Sequence, residues 1–144
     1  MKDKFKRLYM DWASRTADLS HARRLQVGAV IVKDDSVISY GYNGMPAGWD
    51  NNCEDMLADG SLKTKPEVLH AESNAIAKLA KSNNSGLGAD LFVTHMPCME
   101  CAKLIYQSGI RRVWYGSAYR DDAGVRFLKA SGVEVDQLLS QDWS

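Results

Sequence analysis

Two short motifs, His70-Ala71-Glu72 and Pro97-Cys98-Met99-Glu100-Cys101, constrain this chain more than any other feature. Residues three apart on a helix share a face, so Cys98 and Cys101 can present both sulfurs to one point. With His70 they supply three ligands of the types that zinc prefers, which leaves the fourth tetrahedral position for water, as in catalytic zinc sites. The fold is therefore expected to bring both motifs together around one ion.

Glu72 has a different predicted role. It is too close to His70 in sequence to be an ideal extra ligand, yet its carboxylate can reach water at the metal and carry protons. A helix start around Cys98 and Cys101 favours their thiolate forms, because unpaired N–H groups and the helix dipole stabilise negative charge there. Either motif alone also occurs by chance, or in redox and structural sites. Together, His-x-Glu and Pro-Cys-x-x-Cys are the arrangement of zinc deaminases of cytosine and adenine rings, with one catalytic Zn2+ per chain.

Length and charge narrow the class of partner. The 144 residues suffice for one domain with its own core, which we expect over 1–144. Eighteen Lys and Arg balance eighteen Asp and Glu, which favours small molecules over nucleic acid. We find no secretory h-region and no run of about eighteen apolar residues, so we expect a cytoplasmic protein with no membrane partner. Three cysteines without an export signal indicate metal or thiol chemistry.

Apolar periodicity predicts alternating helices and strands. An amphipathic helix from Lys4 to about Leu19 precedes a hairpin of strands 27–32 and 37–42, and 44–65 is predicted to be a long loop. The further predicted elements are helices 66–80, 97–107 and 122–130 and strands 89–94, 111–116 and 132–135. This order predicts an α/β sandwich in which the two motifs lie at two helix starts.

From about Arg23 to Val135 the chain resembles the cytidine and deoxycytidylate deaminase superfamily. The stretch 41–48, GYNGMPAG, with Cys53 after it, and the segments 70–76 and 97–103 are similar to deoxycytidylate (dCMP) deaminases in particular. The resemblance implies a three-layer α/β/α sandwich with a mixed five-stranded sheet. It also implies the hydrolysis of dCMP to dUMP with release of ammonia, a reaction that feeds thymidylate synthesis.

The resemblance further implies how individual residues contact the substrate. Glu72 would carry protons from water to ring N3 and to the departing amine, and the backbone N–H of Ala71 would contact the base. Asn43 would contact the sugar, although Asn is also common in turns. Tyr119 and Arg120 would close over base and phosphate, although both would be ordinary as surface residues.

Regulation is implied as well. Similar dCMP deaminases are often hexamers that dCTP activates and dTTP inhibits, with Mg2+ on the triphosphate, at a site around a Gly-Tyr-Asn-Gly segment. That segment is intact here, although its glycines are also explained if they only turn the chain. Arg23 and Arg24 are alternative phosphate partners, because guanidinium binds phosphate bidentately, and they fit a solvated basic pair equally well. The residues of the expected effector site are Gly41, Tyr42, Asn43, Gly44, Arg23 and Arg24.

Several alternatives stay open. Some relatives carry a second, structural zinc, for which Cys53 with His21, Glu67 or His95 offers an incomplete set, and a buried free cysteine is the preferred interpretation. A tRNA adenosine deaminase would share the zinc motifs but should show a basic face. A deaminase that also accepts dCTP fits the same motifs. A non-enzymatic zinc or nucleotide-sensing module is disfavoured by Glu72, because a structural site needs no proton carrier.

Overall fold

Residues 1–139, the part of the chain that this computed structural model describes, contain four helices and seven strands. The expected domain end at residue 144 lies outside the described residues. The helices are α1 Asp3–Ala17, α2 Ala71–Ala80, α3 Met99–Gln107 and α4 Ala123–Ala130. The strands are β1 Gly28–Lys33, β2 Ser36–Tyr42, β3 Glu54–Met56, β4 Leu62–Thr64, β5 Asp90–His95, β6 Arg112–Ser117 and β7 Glu134–Gln137.

Five of the strands form one mixed sheet in the order β2-β1-β5-β6-β7. β1 runs antiparallel to β2 and β5, whereas β5, β6 and β7 are parallel. β1 and β5 lie inside the sheet and are buried over most of their length, which explains their continuous apolar runs. The mixed five-stranded sheet is confirmed.

Helices cover both faces of this sheet. Successive side chains of a strand point to opposite faces, so each strand contributes to two cores. α1 packs on one face, and α2, α3 and α4 pack on the other. The α1 face buries Tyr9, Met10, Ala13, Val30, Phe92 and Trp114, and the other face buries Ile31, Leu79, Leu91, Val93, Ile105, Val113 and Leu128. The three-layer α/β/α sandwich is therefore confirmed.

No helix within 1–139 has both the length and the apolar character needed to cross a membrane.

The segment 44–65 differs from the predicted loop, because β3 and β4 pair within it as a small antiparallel ribbon. Strands of three residues are too short for an apolar alternation to reveal them. The start of α2 also differs: the helix begins at Ala71 and not at Pro66. Leu69 is held in extended backbone by two hydrogen bonds with Gly44, 2.8 and 3.1 Å long, which prevents helix over 66–69.

Gly41 allows β2 to lie directly against α2. A Cβ at this position would lie 2.4 Å from the Ala71 carbonyl oxygen and 2.6 Å from the Ala75 nitrogen, both backbone atoms. We expect Gly41→Ala to lower the free energy of unfolding by about 1–3 kcal/mol, because the helix must move to admit the methyl group. Urea denaturation of the zinc-loaded wild type and variant measures this change in the free energy of unfolding. Gly44→Ala is the matched control, since nothing lies within 4 Å of its Cβ. Equal stability of the two variants would contradict the packing role.

Candidate metal centre and its cavity

Three potential metal ligands meet where α2 and α3 begin. His70 Nδ1 lies 3.3 Å from Cys101 Sγ and 3.5 Å from Cys98 Sγ, and the three ligand atoms all lie within 4.8 Å of one another. No second group of three such residues occurs among residues 1–139. The predicted ligand set is thus brought to one point.

The spacing of these atoms fits zinc. A tetrahedral ion with Zn–N of about 2.0 Å and Zn–S of about 2.3 Å places nitrogen and sulfur about 3.5 Å apart. The distances from His70 Nδ1 to the sulfurs of Cys101 and Cys98, 3.3 and 3.5 Å, match this value. One His and two Cys are also ligand types that zinc prefers, so the residues present fit a zinc ion with one open position.

The helix starts explain how the ligands converge. His70 and Cys98 are the N-cap residues of α2 and α3, both with extended backbone. Cys98 accepts the first helical hydrogen bond from Ala102 N at 2.8 Å, so α3 begins at Met99 and Pro97 lies just outside the helix. The prediction that Pro97 is the first helical residue was wrong by two positions, but both cysteines do lie at the helix start.

The pKa values of the two thiols are shifted in opposite directions. Hydrogen bonds from Cys101 and His70 lower the pKa of Cys98 to about 3. The pKa of Cys101 is raised, because its thiol donates to Cys98 and lies in a buried position. Zinc binding therefore requires the displacement of a proton from Cys101.

The carboxyl of Glu72 is buried at the same point. Only 4% of Glu72 is exposed, and burial raises its pKa to about 7. The charges of His70 and Cys98 and a hydrogen bond with Cys101 also act on this carboxyl. A carboxyl with such a pKa can both accept and release a proton near neutral pH, which is what a proton carrier needs.

A cavity of about 420 Å³ opens onto these groups. It is lined by Ala22, Arg24, Leu25, Val27, Asn43, Cys53, Glu54, Thr64, Val68, His70, Ala71, Glu72, His95, Met96, Cys98 and Tyr119. Arg24, Asn43, Ala71 and Tyr119 from the predicted set lie on its wall. The predicted residues that are not on this wall are Arg23, Gly41, Tyr42, Gly44, Cys101 and Arg120.

Asn43 connects the end of β2 to the loop before β1. Its Oδ1 accepts from Val27 N–H at 2.8 Å, and its Nδ2 donates to the Leu25 carbonyl at 2.8 Å. Asn43 thus shapes the cavity wall through both ends of its amide. A contact with a sugar stays a prediction.

Glu54 was missed by the sequence interpretation. It is 1% exposed, and its Oε2 accepts from the backbone N–H groups of Arg23 and Arg24 at 2.9 and 3.1 Å. Burial alone would raise the pKa of Glu54, but these bonds and the Arg23 guanidinium lower it. The only signal in the sequence was an acidic residue after Cys53 in a long predicted loop. Glu54 holds the loop that carries both arginines against the cavity.

The guanidinium groups of Arg23 and Arg24 have different hydrogen-bond partners. The Arg23 guanidinium contacts Glu54 and donates to Asn52 Oδ1 at 3.0 Å. Arg24 donates to Thr64 Oγ1 at 3.1 Å, and both of these residues line the cavity. Arg24 is therefore the arginine that the fold places at the cavity.

The Gly-Tyr-Asn-Gly segment has structural contacts of its own. Gly41 packs against α2, the Tyr42 carbonyl accepts from Asn74 Nδ2 at 2.8 Å, and Gly44 pairs with Leu69. These contacts join the end of β2 and the residue after Asn43 to α2 and the residues before it.

Comparison with known proteins adds independent information. A sequence profile of the cytidine and deoxycytidylate deaminase zinc-binding region matches residues 3–117. ComE operon protein 2 of Bacillus subtilis (strain 168) is 40% identical over 120 residues, which is 80% of this chain and 61% of that protein. The chain thus spans less than two thirds of the length of this relative. The deoxycytidylate deaminase of Enterobacteria phage T4 is 33% identical over 153 residues, covering 76% of this chain and 77% of the phage protein.

A solved structure shares the whole fold. The crystal structure of dCMP deaminase from the cyanophage S-TIM5, in complex with dCMP and dUMP, superposes with a TM-score of 0.89 at 45% sequence identity. The match covers 96% of this chain and 99% of the cyanophage chain. Since the sequence profile extends over both motifs and the fold agrees, the chain belongs to the cytidine and deoxycytidylate deaminase family.

Proposed function

We propose that this protein is a zinc-dependent dCMP deaminase, which hydrolyses dCMP to dUMP and ammonia. The observation that carries the proposal is the buried Glu72 carboxyl, which lies beside three zinc-ligand atoms on a cavity that Glu72, His70 and Cys98 line. The choice of dCMP is supported by the cyanophage enzyme, which binds dCMP and dUMP and shares 45% of its aligned residues with this chain.

His70, Cys98 and Cys101 would hold the zinc ion. When bound, zinc supplies a Lewis acid that lowers the pKa of water at its open position to about 7. Glu72 accepts the proton of the attacking water and delivers it to N3 of the cytosine ring while oxygen bonds to C4. Glu72 then takes the remaining proton from the hydroxyl on C4 and transfers it to the amino nitrogen, so that C4=O forms while the C4–N bond breaks to release ammonia. Water and dCMP are thus converted to dUMP and ammonia with no further reactant.

The helix start provides a contact for the base. Ala71 is the first residue of α2, so its backbone N–H has no acceptor within the helix and can donate to the ring. Asn43 and Tyr119 on the cavity wall are proposed to contact the sugar and the base. Arg24 is the preferred phosphate partner, because it lies on the wall, whereas the guanidinium of Arg23 is engaged by Glu54 and Asn52. Arg120 stays a second candidate.

Regulation belongs to the same proposal. We propose that dCTP activates and dTTP inhibits the enzyme, with Mg2+ on the triphosphate, in a homo-hexamer. Support comes from the intact segment 41–44, whose Asn43 lies on the cavity wall while Gly44 has open space around its Cβ. A ligand bound at this segment would therefore reach the substrate cavity through Asn43.

An ammonia-release assay tests substrate and regulation together. We expect kcat/KM for dCMP to exceed that for deoxycytidine at least about tenfold, because a charge-assisted hydrogen bond to phosphate is worth about 1.5–3 kcal/mol. The zinc-loaded protein is assayed with cytidine, deoxycytidine, CMP, dCMP and dCTP, and in parallel with a tRNA anticodon stem. A product from the tRNA and none from dCMP would contradict the substrate proposal in favour of a tRNA adenosine deaminase.

The same assay is repeated with dCTP or dTTP added. We expect dCTP to raise and dTTP to lower the rate at subsaturating dCMP. Sedimentation should give six times the 16.0 kDa chain mass. Hyperbolic kinetics that neither triphosphate changes would contradict the regulation and leave the substrate proposal standing.

A further inference from the structure

His95 lies on the cavity wall, and the proposed chemistry does not use it. It is the last residue of β5, is half-buried, and comes shortly before the ligand Cys98. Its ring centroid is 6.0 Å from that of Tyr119, with 24° between the two ring planes. An imidazole and a phenol thus form one aromatic side of the cavity.

The hydrogen bonds around the imidazole indicate which of its nitrogens carries the proton. His95 Nδ1 lies 2.9 Å from Thr94 Oγ1, and the same oxygen accepts from Gly28 N–H at 3.1 Å. The Thr94 hydroxyl has one proton to donate, and His95 Nδ1 is the one acceptor that it contacts among residues 1–139. We therefore assign the hydroxyl proton to a bond in which Nδ1 accepts, which puts the ring proton on Nε2.

Nε2 is the polar atom that the imidazole leaves available. It has no hydrogen-bond partner among residues 1–139. In that part of the chain, every buried side-chain N or O atom does have a partner, so an atom without one is not fully buried. Nε2 is consequently accessible, and the ring to which it belongs lines the cavity. Burial lowers the pKa of His95, which favours the neutral ring. The result is a neutral N–H donor at the cavity.

We propose that His95 donates this Nε2–H to an acceptor oxygen in the sugar–phosphate part of the bound nucleotide, and that Thr94 is the positioning residue that orients the ring. The inference rests on the proposed function only in taking a nucleotide as the ligand. In the proposed function, Glu72 and the Ala71 N–H contact the edge of the base. The remaining acceptors of the nucleotide are the oxygens of its sugar and phosphate, and His95 would donate to one of these.

Four variants distinguish the effect of the Nε2–H donor from the effect of the aromatic ring itself. His95→Phe keeps an aromatic ring and removes the donor, whereas His95→Gln keeps an N–H donor near the position of Nε2. Thr94→Val removes the hydroxyl at nearly constant shape, and Thr94→Ser keeps it. Zinc content of each variant shows whether the metal centre is intact.

Binding of dUMP and of deoxyuridine to the zinc-loaded proteins tests the donor. We expect His95→Phe to raise the Kd of dUMP about tenfold and Thr94→Val to raise it about threefold. His95→Gln and Thr94→Ser should bind dUMP with most of the wild-type affinity. A phosphate acceptor predicts this loss for dUMP alone, and a sugar acceptor predicts it for both ligands. A His95→Phe protein that binds both ligands like the wild type, or a Gln variant no better than Phe, would overturn the proposal.

Nitrogen NMR of the imidazole tests the orientation without any ligand. The Nδ1 signal of His95 should be that of an unprotonated nitrogen in wild type and Thr94→Ser, and Thr94→Val should change it. An Nδ1-protonated ring in the wild type would contradict the role of Thr94. A wild type that binds neither ligand contradicts the proposed function and this inference with it, whereas wild-type binding that His95→Phe leaves unchanged contradicts this inference alone.

Discussion

Glu72→Gln should lower kcat for dCMP by about 10²–10⁴-fold while the protein keeps its zinc. The amide occupies nearly the same volume as the carboxyl, so the 4% exposed site stays filled. It cannot accept a proton from water or return one to the leaving amine. Zinc content by mass spectrometry, dUMP binding and turnover are measured on the same preparation.

Glu100→Gln is the matched control for this change. Glu100 lies in the second zinc motif, but its side chain is 79% exposed and pairs only with Lys103 in the described structure. Loss of such a surface pair has little energetic effect, so activity should stay within about twofold of wild type. If Glu72→Gln kept activity comparable to Glu100→Gln, Glu72 would not be the proton carrier.

Cys98→Ser should remove zinc and activity together. The three ligand atoms surround one point, and the loss of one of them should weaken zinc binding on the order of 10³-fold or more, because zinc–thiolate bonds supply much of the binding free energy. Dialysed protein should then hold far less than one zinc per chain. The thermal transition should no longer shift upward when zinc is added, since only a ligand that binds the folded state stabilises it.

Cys53→Ser provides the comparison for this second change. Cys53 is also a free cysteine and lines the same cavity, but it is not part of the ligand group. Its variant should retain one zinc per chain. Loss of zinc from Cys53→Ser, with Cys98→Ser unaffected, would place the metal elsewhere.

The zinc motifs were predictable because their information is local. Each motif is recognised by a short spacing, His-x-Glu and Cys-x-x-Cys, and the second places both sulfurs on one helix face. That His70 meets the two cysteines, 28 and 31 residues away, followed from the co-occurrence of both motifs, which is the arrangement of zinc deaminases. The alternation of helices and strands likewise predicted the sandwich. Long-range contacts were not visible in the same way.

Three features of the site depend on such contacts. Glu54 acts on Arg23 and Arg24 across a separation of about thirty residues, and the Leu69–Gly44 pairing that delays α2 joins two loops. The contact of His95 Nδ1 with Thr94 Oγ1 likewise depends on the fold, because the same oxygen accepts from the distant Gly28 N–H. In each case the contacting residues are distant in sequence and are brought together by the fold. Neither their residue types nor their spacing predicts the contact.

Titration of zinc into the metal-free protein, with dCMP conversion measured at each step, tests the central claim most directly. The account predicts that the rate of dUMP and ammonia formation rises in proportion to zinc and reaches its plateau at one zinc per chain. Turnover of dCMP without zinc, or a plateau that requires two zinc ions per chain, would contradict it.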